Sequence, residues 1–277
     1  MGHLRKRNAR RPGRRRGRPA LACRWWLALL AVAFALPLGC KNAAPPPLRI
    51  LAAQSLVDAF TAASRAYEKA HPGGSVELTT ASSGQLRAQI EAGAPADVFA
   101  SASVHHMGLL TEQGLVVPAS RRDFAGNRLV LAVPPDSKLT DPRGLTAGEV
   151  AHIAIGDWSH VPAGRYAREV LERQDLLRAL EPKLRKCQNV RQVLTYVATG
   201  EVAAGFVYQT DAAREPERVR VAWTAPESSH TPIRLPIAVV AASRQKRQAT
   251  SFVDFITGPE GQAILKRHGF VVSWPTR

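Results

Sequence analysis

Residues 48–60 read LRILAAQSLVDAF, and this stretch carries the pattern on which the fold prediction rests. The apolar run from Leu48 to Ala53 predicts a short buried strand. Apolar residues from Leu56 to Tyr67 then recur at the spacing of one helix face, and Pro72-Gly73-Gly74 ends the helix. Ser55 therefore lies at the point where a strand gives way to a helix.

The same alternation of strand and helix patterns continues along the rest of the chain. Further strands are predicted at 76–80, 98–100, 129–133, 153–155, 205–208, 219–223 and 233–242, and further helices at 85–92, 104–113, 164–174, 191–199 and 250–268. Such alternation is typical of an α/β fold with mainly parallel sheets flanked by helices.

Charge is distributed very unevenly. The chain of 277 residues has a formal net charge of +16, but residues 1–24 hold ten Lys and Arg and no acid. The remainder carries 28 basic and 22 acidic residues, a net charge of +6. The strong basicity belongs to a leader, which argues against a nucleic-acid binder.

The leader has the layout of an export signal. After the basic stretch comes an apolar run, Trp25–Leu38, which is short for a membrane span but fits a signal peptide. Leu36-Pro37-Leu38-Gly39-Cys40 resembles a bacterial lipobox, so residues 1–40 are interpreted as a lipoprotein signal with Cys40 as the lipidated residue. Ordinary cleavage near Ala43 or an uncleaved anchor remains the alternative. Residues 41–47 (KNAAPPP) form a predicted tether.

No catalytic, cofactor or metal motif is present in the sequence. His105-His106 has no carboxylate or cysteine at a convincing ligand spacing, so we interpret it as a solvated helix end. After the leader and Cys40, only Cys187 is left, so no disulfide is predicted within the exported part. The sequence therefore favours a binding protein over an enzyme.

Small polar residues mark four junctions between a strand and a helix. They are Ser55, Ser82-Ser83-Gly84, the segment Pro162-Ala163-Gly164, and Asn189-Val190. A helix N-terminus presents unpaired N–H groups and a partial positive charge, which suits an anion. Each junction alone is explained by helix capping, and spacing along the sequence does not show whether the four meet.

Six segments resemble one family closely, in uninterrupted order over residues 48–270. They are LAAQSLVDAF (51–60), ASSGQLRAQIEAGAPADVFAS (81–101), GNRLVLAVP (126–134), IGDWSHVPAGRYAREVLE (155–172), NVRQVLTYVATGEVAAGFVYQTDA (189–212) and FITGPEGQAILKRHGF (255–270). The chain is similar to the periplasmic molybdate-binding proteins of ABC transporters.

The resemblance implies a two-lobed periplasmic-binding-protein fold of type II, with the ligand in the cleft between the lobes. Lobe 1 would comprise residues 48–126 and 235–277, and lobe 2 residues 127–234. The chain would cross between them near Asn127–Arg128 and Ile233–Pro236.

The resemblance also implies the ligand contacts. Residues matching the family's binding positions are Ser55, Ser83, Ala163, Val190 and Tyr208. Molybdate, a tetrahedral dianion, would be held by backbone N–H groups and hydroxyls without an arginine, a metal ligand or a cofactor. Gln54 stands where many relatives have a small residue, which leaves the fine selectivity open.

The expected function is capture of molybdate or tungstate in the periplasm and delivery to an ABC permease, by a monomer anchored to the membrane through a lipid. Two alternatives remain open. The bound anion could instead be sulfate or phosphate, or the chain could be a secreted enzyme acting on an anionic substrate.

Overall fold

The computed structural model describes residues 45–272. The predicted signal segment 1–40, including Cys40, and residues 41–44 of the predicted tether lie outside the described residues. Residues 45–47, which close the predicted tether, have no regular secondary structure.

The described residues contain strands grouped in two sheets. In chain order the strands are β1 (Leu48–Ala53), β2 (Val76–Ala81), β3 (Val98–Ala100), β4 (Arg122–Gly126), β5 (Leu129–Val133), β6 (Ile153–Gly156), β7 (Leu184–Cys187), β8 (Ala204–Tyr208), β9 (Arg220–Thr224) and β10 (Arg234–Val239). The first sheet has the order β2-β1-β3-β10-β4, and the second has the order β7-β6-β8-β5-β9.

Helices follow most of the strands. They are α1 (Val57–Ala70), α2 (Ser83–Glu91), α3 (Val104–Glu112), α4 (Pro162–Arg173), α5 (Leu177–Leu180), α6 (Val190–Ala198), α7 (Gln209–Ala212), α8 (Lys246–Thr257) and α9 (Pro259–Arg267). Between residues 45 and 272, none of these helices has the length and apolar character needed to cross a membrane.

Both sheets are mixed, and they share one design. In the first sheet β1 pairs in parallel with β2 and β3, while β10 runs antiparallel to β3 and β4. In the second sheet β6 pairs in parallel with β7 and β8, while β5 runs antiparallel to β8 and β9. The parallel half of each sheet is the half built from repeated strand and helix units, as the alternation predicts.

Helices cover both faces of the first sheet. On one face Leu51 of β1 packs in a cluster with Leu86 of α2 and Met107 of α3. On the other face the ring of Phe60 in α1 lies 5.6 Å from that of Phe124 in β4 and 6.2 Å from that of Phe252 in α8. Burial on both faces explains why β1 is a nearly continuous apolar run.

Helix α4 lies unusually close to the second sheet. A methyl group on Gly164 of α4 would overlap the carbonyl oxygen of Gly156 at the end of β6. Because Gly156 and Gly164 have no side chains, the backbone of α4 can contact the backbone of β6. This contact sets the distance between the first turn of α4 and the second sheet.

The chain passes between the sheets twice. It leaves the first sheet after Gly126, enters the second at Leu129, and returns between Thr224 and Arg234. The lobe boundaries at 126/127 and 234/235 stay a prediction.

Candidate functional site

A small cavity lies where six strands, β1, β2, β3, β6, β7 and β8, give way to helices. Ligands of α/β proteins bind at such carboxyl ends of strands. Elements of the first sheet contribute Ala53, Gln54, Ser55, Ser82, Ser83 and Ala102, and elements of the second contribute Val161, Pro162, Ala163, Asn189, Val190 and Tyr208. The structure thus brings together all five predicted site residues, which are Ser55, Ser83, Ala163, Val190 and Tyr208.

Three of the five lie at the first N–H of a long helix. Ser83 begins α2 and Val190 begins α6. In α4 the first residue is Pro162, which has no N–H, so Ala163 supplies the first one. Ser55 lies in the single 3-10 turn Gln54–Leu56 that leads from β1 into α1. The cavity is therefore surrounded by the positive ends of helices.

Capping side chains satisfy the deeper N–H groups and leave the outer ones available. The Ser82 hydroxyl accepts a hydrogen bond from the N–H of Gln85 at 3.3 Å, and Asn189 Oδ1 accepts one from Gln192 at 3.0 Å. Among the hydrogen bonds of residues 45–272, none has its donor at the backbone nitrogen of Ser55, Ser83, Ala163 or Val190. Unpaired N–H groups at the start of helices are suited to an anionic ligand.

The hydroxyl groups of the site have different partners. Ser55 Oγ is buried, and no group of the described chain bonds to it. Ser83 Oγ accepts a hydrogen bond from the N–H of Ala102 at 3.0 Å. A buried polar atom without a partner is costly unless something else fills the role, so Ser55 Oγ indicates that a ligand belongs in the cavity.

Tyr208 joins the two sides of the cavity. Its hydroxyl donates to the carbonyl oxygen of Ala102 at 3.1 Å, and burial raises its pKa well above 10, which keeps the phenol neutral. A hydroxyl has one proton. To donate a hydrogen bond to a ligand, the Tyr208 hydroxyl must therefore break its bond to the carbonyl oxygen of Ala102. The sequence did not reveal this competition.

Among residues 45–272, no charged side chain lines the cavity. The donors that face it are neutral amides and hydroxyls, which can bind an anion through hydrogen bonds without a positively charged side chain. The N–H groups among them cannot accept a hydrogen bond from a protonated ligand. A fully deprotonated oxyanion matches such a donor set, whereas a protonated oxygen would place a donor against a donor.

An electrostatic interaction next to the site, between Arg191 and the buried Asp211, was missed by the sequence analysis. Burial raises the pKa of Asp211 to about 7, while the charge of Arg191 and the N–H of Tyr208 limit the rise. Arg191 follows Val190, and Asp211 lies in α7, the short helix directly after Tyr208. Each of the two residues is thus close in the sequence to a residue of the site.

The interpretation of His105-His106 as a solvated helix end is wrong for His106. His105 is exposed, but His106 is buried, and burial together with the charges of His105 and nearby arginines lowers its pKa to about 3. It is a neutral side chain in the first turn of α3. Within the described part of the chain, no group of His, Cys, Asp and Glu is arranged to hold a metal ion.

Comparison with known families and proteins gives one consistent picture. The family of bacterial extracellular solute-binding proteins matches residues 48–271. The chain is 35% identical over 261 residues to the molybdate-binding protein ModA of Escherichia coli (strain K12), covering 90% of this chain and 99% of that protein. It is also 35% identical over 225 residues to a putative ABC transporter substrate-binding lipoprotein of Bacillus subtilis (strain 168), covering 80% and 85%.

A solved structure extends the similarity to the fold. The periplasmic molybdate-binding protein of Azotobacter vinelandii superimposes with a TM-score of 0.74 at 27% identity, covering 82% of this chain and 100% of that one.

Proposed function

Because the chain belongs to the bacterial extracellular solute-binding proteins, we propose that it captures molybdate outside the cytoplasmic membrane and delivers it to an ABC permease. Relatives named for molybdate binding match most of the chain. The observation that supports the proposal most directly is the cavity lined by unpaired helix N–H groups and by the partnerless hydroxyl of Ser55.

The binding energy comes from many neutral donors acting together. A hydrogen bond to a charged group contributes about 1.5–3 kcal/mol net, and the N–H groups at 55, 83, 163 and 190 with the hydroxyls of Ser55 and Ser83 supply six. Their sum offsets the cost of removing a dianion from water. Tungstate has the same shape and charge, so the site accepts it as well, while the smaller sulfate leaves donors out of reach.

Catalysis is the less favoured alternative. An enzyme acting on an anionic substrate would need a general base or a nucleophile beside the ligand. Within the described part of the chain, the residues that line the cavity include no carboxylate, histidine, lysine or thiol. The activity expected of the chain is binding, without a cofactor and as a monomer.

A titration tests the proposal and separates the anions. The protein is expressed from the full 277-residue sequence, purified, and titrated in a calorimeter with molybdate, tungstate, sulfate and phosphate in turn. We expect one molar equivalent of molybdate or tungstate to bind tightly, and sulfate and phosphate to bind weakly or not at all. Tight binding of sulfate or phosphate would contradict the proposed ligand but not the fold. No binding of any of the four anions would favour the enzyme alternative.

The location of the protein is part of the proposal. Cys40 carries a lipid that holds the protein on the outer side of the cytoplasmic membrane or in the periplasm, and residues 41–47 separate the anchor from the fold. The Bacillus subtilis relative is itself named a putative lipoprotein. Mass spectrometry of the protein extracted from membranes should show Cys40 as the first residue, carrying a lipid. An unmodified Cys40 would exclude the lipid anchor.

A further inference from the structure

The loop that leads into α4 contacts the start of α2 across the two sheets. The carbonyl oxygen of His160 accepts a hydrogen bond from the N–H of Gly84 at 2.9 Å. The imidazole Nδ1 of the same residue lies 3.0 Å from Ser82 Oγ. One residue on the side of the second sheet therefore bonds to two residues at the start of α2, to Gly84 through its backbone and to the N-cap Ser82 through its side chain.

Gly84 permits this approach because it has no side chain. A methyl group at position 84 would lie 2.5 Å from Cβ, 2.6 Å from Cα and 2.7 Å from the carbonyl oxygen of His160. Two of these three atoms belong to the backbone, so no rotamer change relieves the overlap. The close contact and the hydrogen bond of the Gly84 N–H require a glycine at this position.

The N-terminus of α2 serves two purposes in adjacent residues. The N–H of Ser83 is available to the cavity, and the N–H of Gly84 donates to His160. The next N–H, that of Gln85, is capped by Ser82 Oγ at 3.3 Å. A shift of the first turn of α2 therefore moves both the N–H that faces the cavity and the N–H that bonds to His160.

The contact to Ser82 does not depend on which imidazole nitrogen carries the proton. The hydroxyl can donate to an unprotonated Nδ1. It can also accept from a protonated one while donating to Gln85 Oε1 at 2.9 Å. The side chain of His160 can therefore keep this bond in either tautomer.

We propose that His160 and Gly84 form a latch that holds the cleft closed over the anion and sets the rate of its release. This role rests on the proposed function, because it concerns the release of the same ligand. His160 does not line the cavity, so it is a positioning residue that acts through Ser82 and Gly84. Loss of the latch raises the dissociation rate and leaves the association rate unchanged, since the anion enters before the contact forms.

Three variants separate the side-chain and backbone parts of the latch. His160→Ala removes the bond to Ser82 and should raise the dissociation rate of molybdate about 3- to 10-fold, the effect of one hydrogen bond. His160→Asn carries a polar atom at the same distance from the backbone as Nδ1 and should restore much of the loss. Gly84→Ala blocks the approach of the His160 backbone and should give the largest increase.

The matched control is Gly108→Ala, in helix α3. A methyl group there meets no atom within 4 Å, so its dissociation rate should equal that of the wild type. Rates are measured by stopped-flow fluorescence on protein expressed from the full sequence. Trp158 lies in the same loop as His160, with its ring 3.9 Å from Lys186 Nζ, and reports movement of that loop.

Two results would overturn the latch. One is a wild-type dissociation rate in both His160→Ala and Gly84→Ala, and the other is an Asn variant no better than Ala. If the wild type itself bound no molybdate, the proposed function would fail, and hydrogen exchange would decide on the latch. Slower exchange of the Gly84 amide in the wild type than in His160→Ala supports it, and equal exchange excludes it.

Discussion

At the scale of single residues, Ser55 and Ser83 face the same cavity but differ in their other partners. Ser55 Oγ has no partner among residues 45–272, whereas Ser83 Oγ also accepts the N–H of Ala102. We therefore expect the first hydroxyl to act on the ligand alone, whereas the second also supports the segment after β3. Because of this difference, substitution of Ser55 should affect binding without a loss of stability, whereas substitution of Ser83 should affect both.

We expect Ser55→Ala to weaken molybdate binding about 10- to 100-fold, the loss of one hydrogen bond to a charged group. The melting temperature of the ligand-free variant should stay unchanged or rise, because a buried hydroxyl without a partner is removed. Ser83→Ala should lose similar affinity and also melt earlier, since the N–H of Ala102 loses its acceptor. Calorimetric titration and thermal unfolding measure the two effects. Unchanged affinity in both variants would refute the site assignment.

Sequence reasoning located most of the residues of the cavity but not their bonds. Ser55, Ser83, Ala163 and Val190 follow from strand-to-helix junctions, a signal that is local in the sequence. The bond from Tyr208 to Ala102 and the burial of Asp211 beside Arg191 join residues far apart in the chain. Only the packing of the two halves of the molecule decides such contacts, so no local pattern could reveal them.

At the scale of elements, the predicted bounds of the strands agree best with the structure where the apolar run in the sequence is continuous. The predicted spans 48–53, 98–100 and 129–133 coincide with β1, β3 and β5. Strands β4 (RDFAG) and β7 (LRKC) were missed because charged residues interrupt them. The single helix predicted over 250–268 is two helices, α8 and α9, separated at Gly258-Pro259, where the helical spacing of apolar residues continues across the break.

The position of α4 provides an element-scale prediction. Gly164→Ala should force the first turn of α4 away from β6, because its methyl group overlaps the Gly156 carbonyl. We expect a loss of about 1–3 kcal/mol in unfolding free energy, typical of overpacking, together with weaker molybdate binding as Ala163 moves. The matched control is the exposed Gly148→Ala, whose methyl group meets nothing within 4 Å. Urea unfolding of both variants measures the effect, and equal stability would show that α4 adjusts without strain.

At the scale of the whole molecule, contacts between the two halves differ in kind. His160 and Tyr208 make hydrogen bonds from the second half to the first, beside or inside the cavity. Arg214, which follows α7, forms an ion pair with Asp58 of α1, but the two side chains are 30% and 45% exposed. Solvent screening makes exposed ion pairs weak, so we expect the hydrogen bonds near the cavity to contribute more to holding the two halves together.

Asp58→Asn tests this ranking. Since an exposed pair contributes about 0–1 kcal/mol, the dissociation constant for molybdate should change by less than about fivefold. The change should also shrink in high salt, which already screens the pair in the wild type. Titrations at low and high ionic strength measure both effects. A larger change that salt does not diminish would place the ion pair among the main determinants of closure.

The strand order of the first sheet has a consequence for the order in which the two sheets can fold. Among residues 45–272, β10 is the last strand along the chain, yet it lies between β3 and β4 and is the only strand of its sheet that pairs with β4. All five strands of the second sheet come from one uninterrupted stretch. As the chain emerges from its N-terminal end, the second sheet can therefore be completed first, while β4 waits for a partner from beyond residue 233. Strands that are far apart in the sequence pair slowly. The first sheet, which starts with β1, is therefore completed after the second sheet.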